Sequence, residues 1–243
     1  MFLLFLAIGP VAIILAYIYA LDKYEKEPLL LCFKTTFWGA VIVIPIILVE
    51  LVLAEISSNI LWQSFIVAAV TEEAFKFLVV YKIAYKRAEF NEPFDGIIYA
   101  VFASLGFATV ENIFYVLDGG AGIAILQAAT AVPAHSIFGV RMGFFFGLAK
   151  FSTENEKNLL QKAILVPILL HGVYDYIVMS GNGLLLALFI PYLIYLYKLA
   201  FRLMKEHSMF RPLKIRTIAY LELKFQKMKK IEIVKNLTLN IIL

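Results

Sequence analysis

The chain reads as long apolar runs separated by short polar breaks. Marking stretches of about 20 residues, the length a bilayer crossing needs, gives seven of them, at roughly 2–21, 29–53, 60–81, 96–117, 122–149, 159–179 and 183–204. The breaks alternate in basic content. Lys23 and Lys26 fall in the first, Lys82, Lys86 and Arg87 in the third, and Lys150 and Lys157 in the fifth. The second (Ala54 to Asn59), fourth (Asp118 to Ala121) and sixth (Ser180 to Gly183) hold no Lys or Arg. Basic loops stay on the cytoplasmic side, so the pattern predicts seven crossings with the N-terminus outside and the C-terminus cytoplasmic. The fold class expected is therefore an all-α, polytopic membrane helix bundle. Residues 1–204 would form one transmembrane domain, and 205–243 a basic cytoplasmic tail lying against anionic lipid. The first twenty residues lack the basic n-region and the cleavage signal of a secretory leader, and are expected to be a retained helix.

Composition agrees with this reading and narrows the function. Hydrophobic residues make up 62% of the chain and charged ones 16%, with a mean hydropathy of +0.86. Soluble domains run nearer 45 to 50% apolar and 25% charged, as a rough rule, so the protein is placed in the cell membrane as a multi-pass chain. The net charge of +4 sits in loops and tail, where it reports orientation and lipid headgroups and gives no reason to expect nucleic acid. The single cysteine, Cys32, cannot form an internal disulfide and is expected to pack.

Against that apolar background a few polar residues stand at membrane depth. Glu72, Glu73 and Lys76 are in the third span, Glu111 and Asn112 in the fourth, His135 and Arg141 in the fifth, and His171 and Asp175 in the sixth. Lys34, Glu50 and Lys198 lie nearer span ends, where they are expected to reach the interface. Each carboxylate near the bilayer centre costs roughly 2.5 to 3.5 kcal/mol on insertion scales, so such groups face a bundle interior or a wet cavity and mark function. Spans three to six should then enclose one polar cavity. The spacing agrees, because Glu72 with Lys76, Phe107 with Glu111, and His171 with Asp175 are i, i+4 pairs that share a helix face. Two rows of small residues, Gly139-Gly143-Gly147 and Gly96-Ala100-Ser104-Ala108, would let helices approach closely. Pro133 and Pro167 precede the two membrane histidines and free backbone carbonyls that a wet pocket can satisfy.

Hydrolysis of a peptide bond needs a water, a base, an oxyanion donor and a proton for the leaving amine. Carboxylates and imidazoles supply all four. Glu72 is the favoured base because Lys76 lies one turn away on its own face, while Glu73, about 100° around the helix, is placed to pair with Arg141 or to orient its neighbour. The two roles are interchangeable at this stage. His171 is placed to donate to an oxyanion or to shuttle a proton, oriented by Asp175. Glu111 and Asn112 are candidates to support the site or to bind substrate backbone, His135 is a further imidazole, and Arg141 is read as structural support.

In order across consecutive helices, Glu72-Glu73-x-x-Lys76, Phe107-x-x-x-Glu111, His135 and His171-x-x-x-Asp175 resemble the PrsW family of intramembrane proteases, which is related to the CAAX prenyl endopeptidases and their bacterial relatives. The resemblance implies a glutamate-dependent membrane endopeptidase whose substrate is a single-span membrane protein. It further implies that this substrate is an anti-sigma factor, cut on its extracytoplasmic side at the start of a regulated cascade. Carried over from the CAAX-type enzymes, Glu72 would activate water and His171 would hold the oxyanion. The sequence departs from those enzymes in having Lys76 in place of an arginine one residue later, Glu111 where a histidine would stand, and Asp175 for an asparagine. These departures match the PrsW branch and leave the assisting role to Glu111 or His135. Three other readings compete: a proton- or cation-coupled transporter, a CAAX-type prenyl-protein endopeptidase, and a scaffold whose polar residues are interhelical glue. No cofactor is expected. Zinc is the lesser alternative, since Glu72, Glu73, His135, His171 and Asp175 are competent ligands but the chain has no HExxH signature.

Overall fold

The computed structural model describes residues 2–22, 25–152 and 154–207, and every regular element among them is helical. The helices are α1 (Phe2–Leu21), α2 (Leu29–Val41), α3 (Val43–Ala54), α4 (Thr71–Val80), α5 (Pro93–Ala129), α6 (Ala131–Lys150), α7 (Glu156–Met179) and α8 (Gly183–His207). α4 is the middle of a longer rod whose ends, Trp62–Val70 and Tyr81–Tyr85, wind in wider π-helical turns. Residues 205–207 finish α8, and the rest of the expected basic tail lies outside the described residues.

Five stretches among the described residues are long and apolar enough to cross a membrane: Phe2–Leu21, Leu29–Ala54, Pro93–Lys150, Glu156–Met179 and Gly183–His207. The expected third span is not one of them, because its rod carries Glu72, Glu73 and Lys76 close together. The expected fourth and fifth spans form one helical run with two breaks. At Gly120, φ is 70° and ψ is −159°, a backbone region that side chains disfavour and glycine accepts. The second break, at Thr130 (φ −126°, ψ −69°), divides the expected helix 122–149. Pro133 explains it, since proline donates no N–H and its ring crowds the carbonyl four residues back. Pro45 acts in the same way on the expected span 29–53, which is interrupted at Ile42.

α5 is the axis of the bundle, buried at every residue from Phe94 to Ala108. Its start is fixed locally. Asp95 Oδ2 accepts from the N–H groups of Glu92 (2.6 Å) and Asn91 (2.8 Å), and Pro93 occupies the first turn, where a missing donor costs nothing. By contrast α1 buries only Ala7, Val11 and Ile18, as expected of a rod apolar all round that faces lipid. Lipid gives helices no hydrophobic reason to associate, so close backbone contact must hold them. α6 runs antiparallel to α5, with Gly143 and Gly147 on the backbone of Gly96 and Gly139 beside Ser104. α2 crosses α5 through Gly39 against Ala103 and Thr36 against Gly106. α7 runs antiparallel to the α4 rod, as Tyr85 donates to Glu156 (2.8 Å) and His171 meets Glu73. The α1–α2 connection is pinned to the axis where the Tyr99 hydroxyl donates to Glu27. Burial pushes the Glu27 carboxyl above the ordinary carboxylate range.

Candidate active site

The α4 sequence Glu72-Glu73-x-x-Lys76 places two carboxylates a turn below an ammonium. Lys76 Nζ donates to Glu72 Oε2 and to Glu73 Oε1, at 2.9 Å each, which are the i, i+4 and i, i+3 contacts a helix allows. Its third partner is His135 Nδ1 of α6, at 3.2 Å, and the Phe107 ring of α5 lies 4.1 Å from the nitrogen. The Lys76 side chain is 0% exposed. An ammonium so enclosed is tolerable only when its charge is paired and each N–H is used. Three acceptors and an aromatic face meet that requirement.

Two imidazoles complete the cluster, and each is held at both nitrogens. His135 Nε2 lies 2.8 Å from Glu111 Oε2, so a ring carrying its proton on Nε2 donates to Glu111 and accepts from Lys76. His171 Nδ1 is 3.0 Å from Glu73 Oε1, and its Nε2 is 3.2 Å from Asp175 Oδ2 and 4.0 Å from Glu72 Oε2. The last separation is too long for a hydrogen bond. The rings stand perpendicular, 5.3 Å apart, and Phe138, one turn beyond His135, stacks on His171 at 4.9 Å.

The two glutamates differ in access. A cavity of about 320 Å³ between α3 and α5 has Glu72, Glu111, Phe107 and Tyr115 in its wall. Glu73 is fully buried behind them and is spent on Lys76 and His171.

Glu72, Glu73, Lys76, Glu111, His135, His171 and Asp175 are therefore gathered in one place by four helices. Asn112 is not. Its Nδ2 donates to the Ala7 carbonyl of α1 at 2.8 Å, because a residue following Glu111 points about 100° away from it. Asn112→Ala should lower the melting temperature slightly, at a cost of about 1 kcal/mol or less for one interhelical bond, and leave the cleavage rate of a membrane substrate unchanged. Arg141 also lies apart. Its guanidinium packs over Phe145 (4.8 Å) and Phe144 (5.9 Å), while Glu73 pairs with Lys76 and His171. Glu50, expected at an interface, lines the cavity instead. Its i, i+4 step from the buried Ile46 is the one sequence signal that points inward. Phe107 shares the Glu111 face as its spacing predicts and lies against Lys76, whereas Phe138, a helical turn from His135, had no signal in the sequence.

Carboxylates and imidazoles enclosed among apolar helices beside a carboxylate-lined cavity define an intramembrane hydrolase. Comparison with known proteins gives the family. Residues 27–201 match the model of the PrsW family intramembrane metalloprotease. Protease PrsW of Geobacillus kaustophilus is 41% identical over 175 residues, covering 71% of this chain and 78% of the relative. Those of Clostridioides difficile and Bacillus subtilis are 38% and 34% identical, over 81% and 82% of this chain and 87% and 92% of theirs. No solved structure matches. The chain belongs to the PrsW family. It is a peptidase and a multi-pass protein of the cell membrane, where its substrate is a membrane protein.

The family description mentions a metal, and the donor set can be tested for one. One donor atom each from Glu72, Glu73, His135 and His171 lies within 4.8 Å of the others, and two carboxylates with two imidazoles are chemically suited to zinc. A ligand must offer a free lone pair, however, and both imidazoles have their nitrogens engaged. His135 Nδ1 points at Lys76 and its Nε2 at Glu111, while both nitrogens of His171 face carboxylate oxygens. Glu73 Oε2 is buried without a partner and Glu72 meets Lys76 through Oε2 alone, but two carboxylate oxygens without an imidazole lone pair do not make a tetrahedral site. With Lys76 in place the residues do not fit a metal.

Proposed function

We propose that the protein is a glutamate-dependent, metal-free endopeptidase that hydrolyses a peptide bond of a single-span membrane protein. The observation that carries this reading is the asymmetry of the paired glutamates: Glu72 opens on the cavity, and Glu73 is locked behind it. An extended substrate segment enters between α3 and α5 and brings its carbonyl to Glu72. Glu72 takes a proton from a water in the cavity, and the hydroxide oxygen bonds to the carbonyl carbon. His171 turns its Nε2 hydrogen from Asp175 to the developing oxyanion while Glu73 holds Nδ1. The C–N bond then breaks, and the amine leaves with the proton that Glu72 had taken. Lys76 balances the carboxylates throughout, and Glu111, held from behind by His135, lines the same cavity as Glu72.

Seven crossings, with the N-terminus outside, follow from the same reading. The run Pro93–Lys150 has 58 residues, about 87 Å at the helical rise, and folds back on itself, so it supplies two crossings. The charged α4 rod, sheltered by its neighbours, supplies the seventh. The substrate class proposed is the anti-sigma factor, on the strength of the family resemblance. The test is capture: the Glu72→Gln form, expressed in its own host, should retain a single-span protein that the unaltered enzyme shortens in vesicles. Loss of that protein's cleavage on adding a chelator, with return on adding zinc, would overturn the metal-free mechanism. Uptake of a solute driven by a pH gradient, without proteolysis, would favour the transport reading instead.

A further inference from the structure

Lys76 does more than balance charge. Its three N–H groups point at Glu72 Oε2, Glu73 Oε1 and His135 Nδ1, which are three of the four groups able to hold a metal. The fourth, His171, faces Glu73 and Asp175 with its two ring nitrogens, and it binds a metal by giving up one of its two ring protons. A zinc ion would need the lone pairs that face Lys76, at about 2.0–2.2 Å. The ammonium is tethered to α4 at the helical spacing of the carboxylates it holds, so it competes with a metal ion as an intramolecular cation that no dialysis removes. His135 is held in its orientation by Glu111 from the other side, and would stay aimed at the vacated place if the ammonium were removed.

We propose that Lys76 is the site's resident cation and keeps the cluster free of metal, so that removing its charge turns Glu72, Glu73, His135 and His171 into a zinc site. The inference concerns the site described above but does not rest on proteolysis. It is read with no substrate present, so its failure and that of the peptidase reading are separable.

The experiment uses the full chain in detergent micelles, unaltered and as Lys76→Met, which keeps an unbranched stem without charge. Each is exposed to zinc chloride and desalted, and bound zinc is counted per chain by emission spectroscopy. The unaltered chain should hold less than about a tenth of an equivalent, and Lys76→Met about one, as a tetrahedral site binds one ion. Adding His135→Ala should abolish that binding. The melting temperature of Lys76→Met should rise with zinc, since an ion that binds only the folded chain stabilises it. One equivalent on the unaltered chain, lost in Glu72→Gln, would overturn the proposal, because the ammonium would then yield to metal. So would a cooperatively melting Lys76→Met chain that holds none. Where Lys76→Met does not accumulate, Lys76→Gln and zinc-supplemented growth take its place. Accumulation restored by zinc supports the proposal, and its absence in both variants with and without zinc overturns it.

Discussion

Glu72→Gln should abolish cleavage, with a fall of about ten-thousand-fold, the upper end of what a group acting as both base and acid supplies. Glutamine keeps the size of the side chain and its acceptor oxygen, so Lys76 retains a contact there. The ammonium also keeps Glu73 at 2.9 Å, which spares the chain the penalty of a buried unpaired charge. The variant should therefore melt within a few degrees of the parent. Glu73→Gln sets the comparison. That side chain is enclosed and touches His171 and Lys76, so it positions the imidazole and meets no water. Its loss should lower the rate by about a hundred-fold, the scale of a misplacement near 1 Å. Rates measured on one vesicle-reconstituted substrate decide the matter. If Glu73→Gln proves the more damaging of the two, the roles are reversed and the cavity wall has been misassigned.

Why the sequence reveals some of this and not the rest follows from the cost of polar groups in lipid. An ionisable group inside an apolar run needs a reason, so Glu72, Glu73, Glu111, His171 and Asp175 stand out without any fold in hand. Contacts within one helix are equally legible. Lys76 falls on the face of Glu72, and Asp175 on that of His171, because 3.6 residues make a turn. The contacts that decide the chemistry are between helices. That the third acceptor of Lys76 is His135, 59 positions away, has no sequence signature, and neither does the Glu73–His171 contact across 98 positions. Glu50 and Asn112 show the same limit. Both are polar residues in apolar helices, yet one lines the cavity and the other ties α5 to α1. Prolines broke helices at Ile42 and Thr130 where the apolar runs continue unbroken, because hydropathy records which side chains tolerate lipid and not where a backbone donor is missing.

The small-residue rows were visible too, and their consequence for the site can be measured through Gly143→Ala. A Cβ at position 143 would sit 2.2 Å from the Gly96 carbonyl oxygen and 2.5 Å from Ile97 Cα. Both are backbone atoms that cannot swing aside. Restoring contact distances of about 3.5 Å requires α5 and α6 to part by roughly 1 Å. The same two helices carry Glu111 and His135, which meet at 2.8 Å about 12 Å along α6 by the helical rise. A wedge at Gly143 thus opens the pair that aims His135 at Lys76. Overpacking of this kind costs about 1–3 kcal/mol, and a displacement near 1 Å costs about a hundred-fold in rate. Gly9→Ala is the natural comparison, since nothing lies within 4 Å of a Cβ there. Alanine is the better helix former by about 1 kcal/mol, so that variant should match or exceed the parent in stability and cleave at the parent's rate. Equal melting temperatures and rates for the two alanine variants would mean that the α5–α6 crossing has slack, and that the geometry of the cluster is held by its hydrogen bonds and not by the helices beneath it.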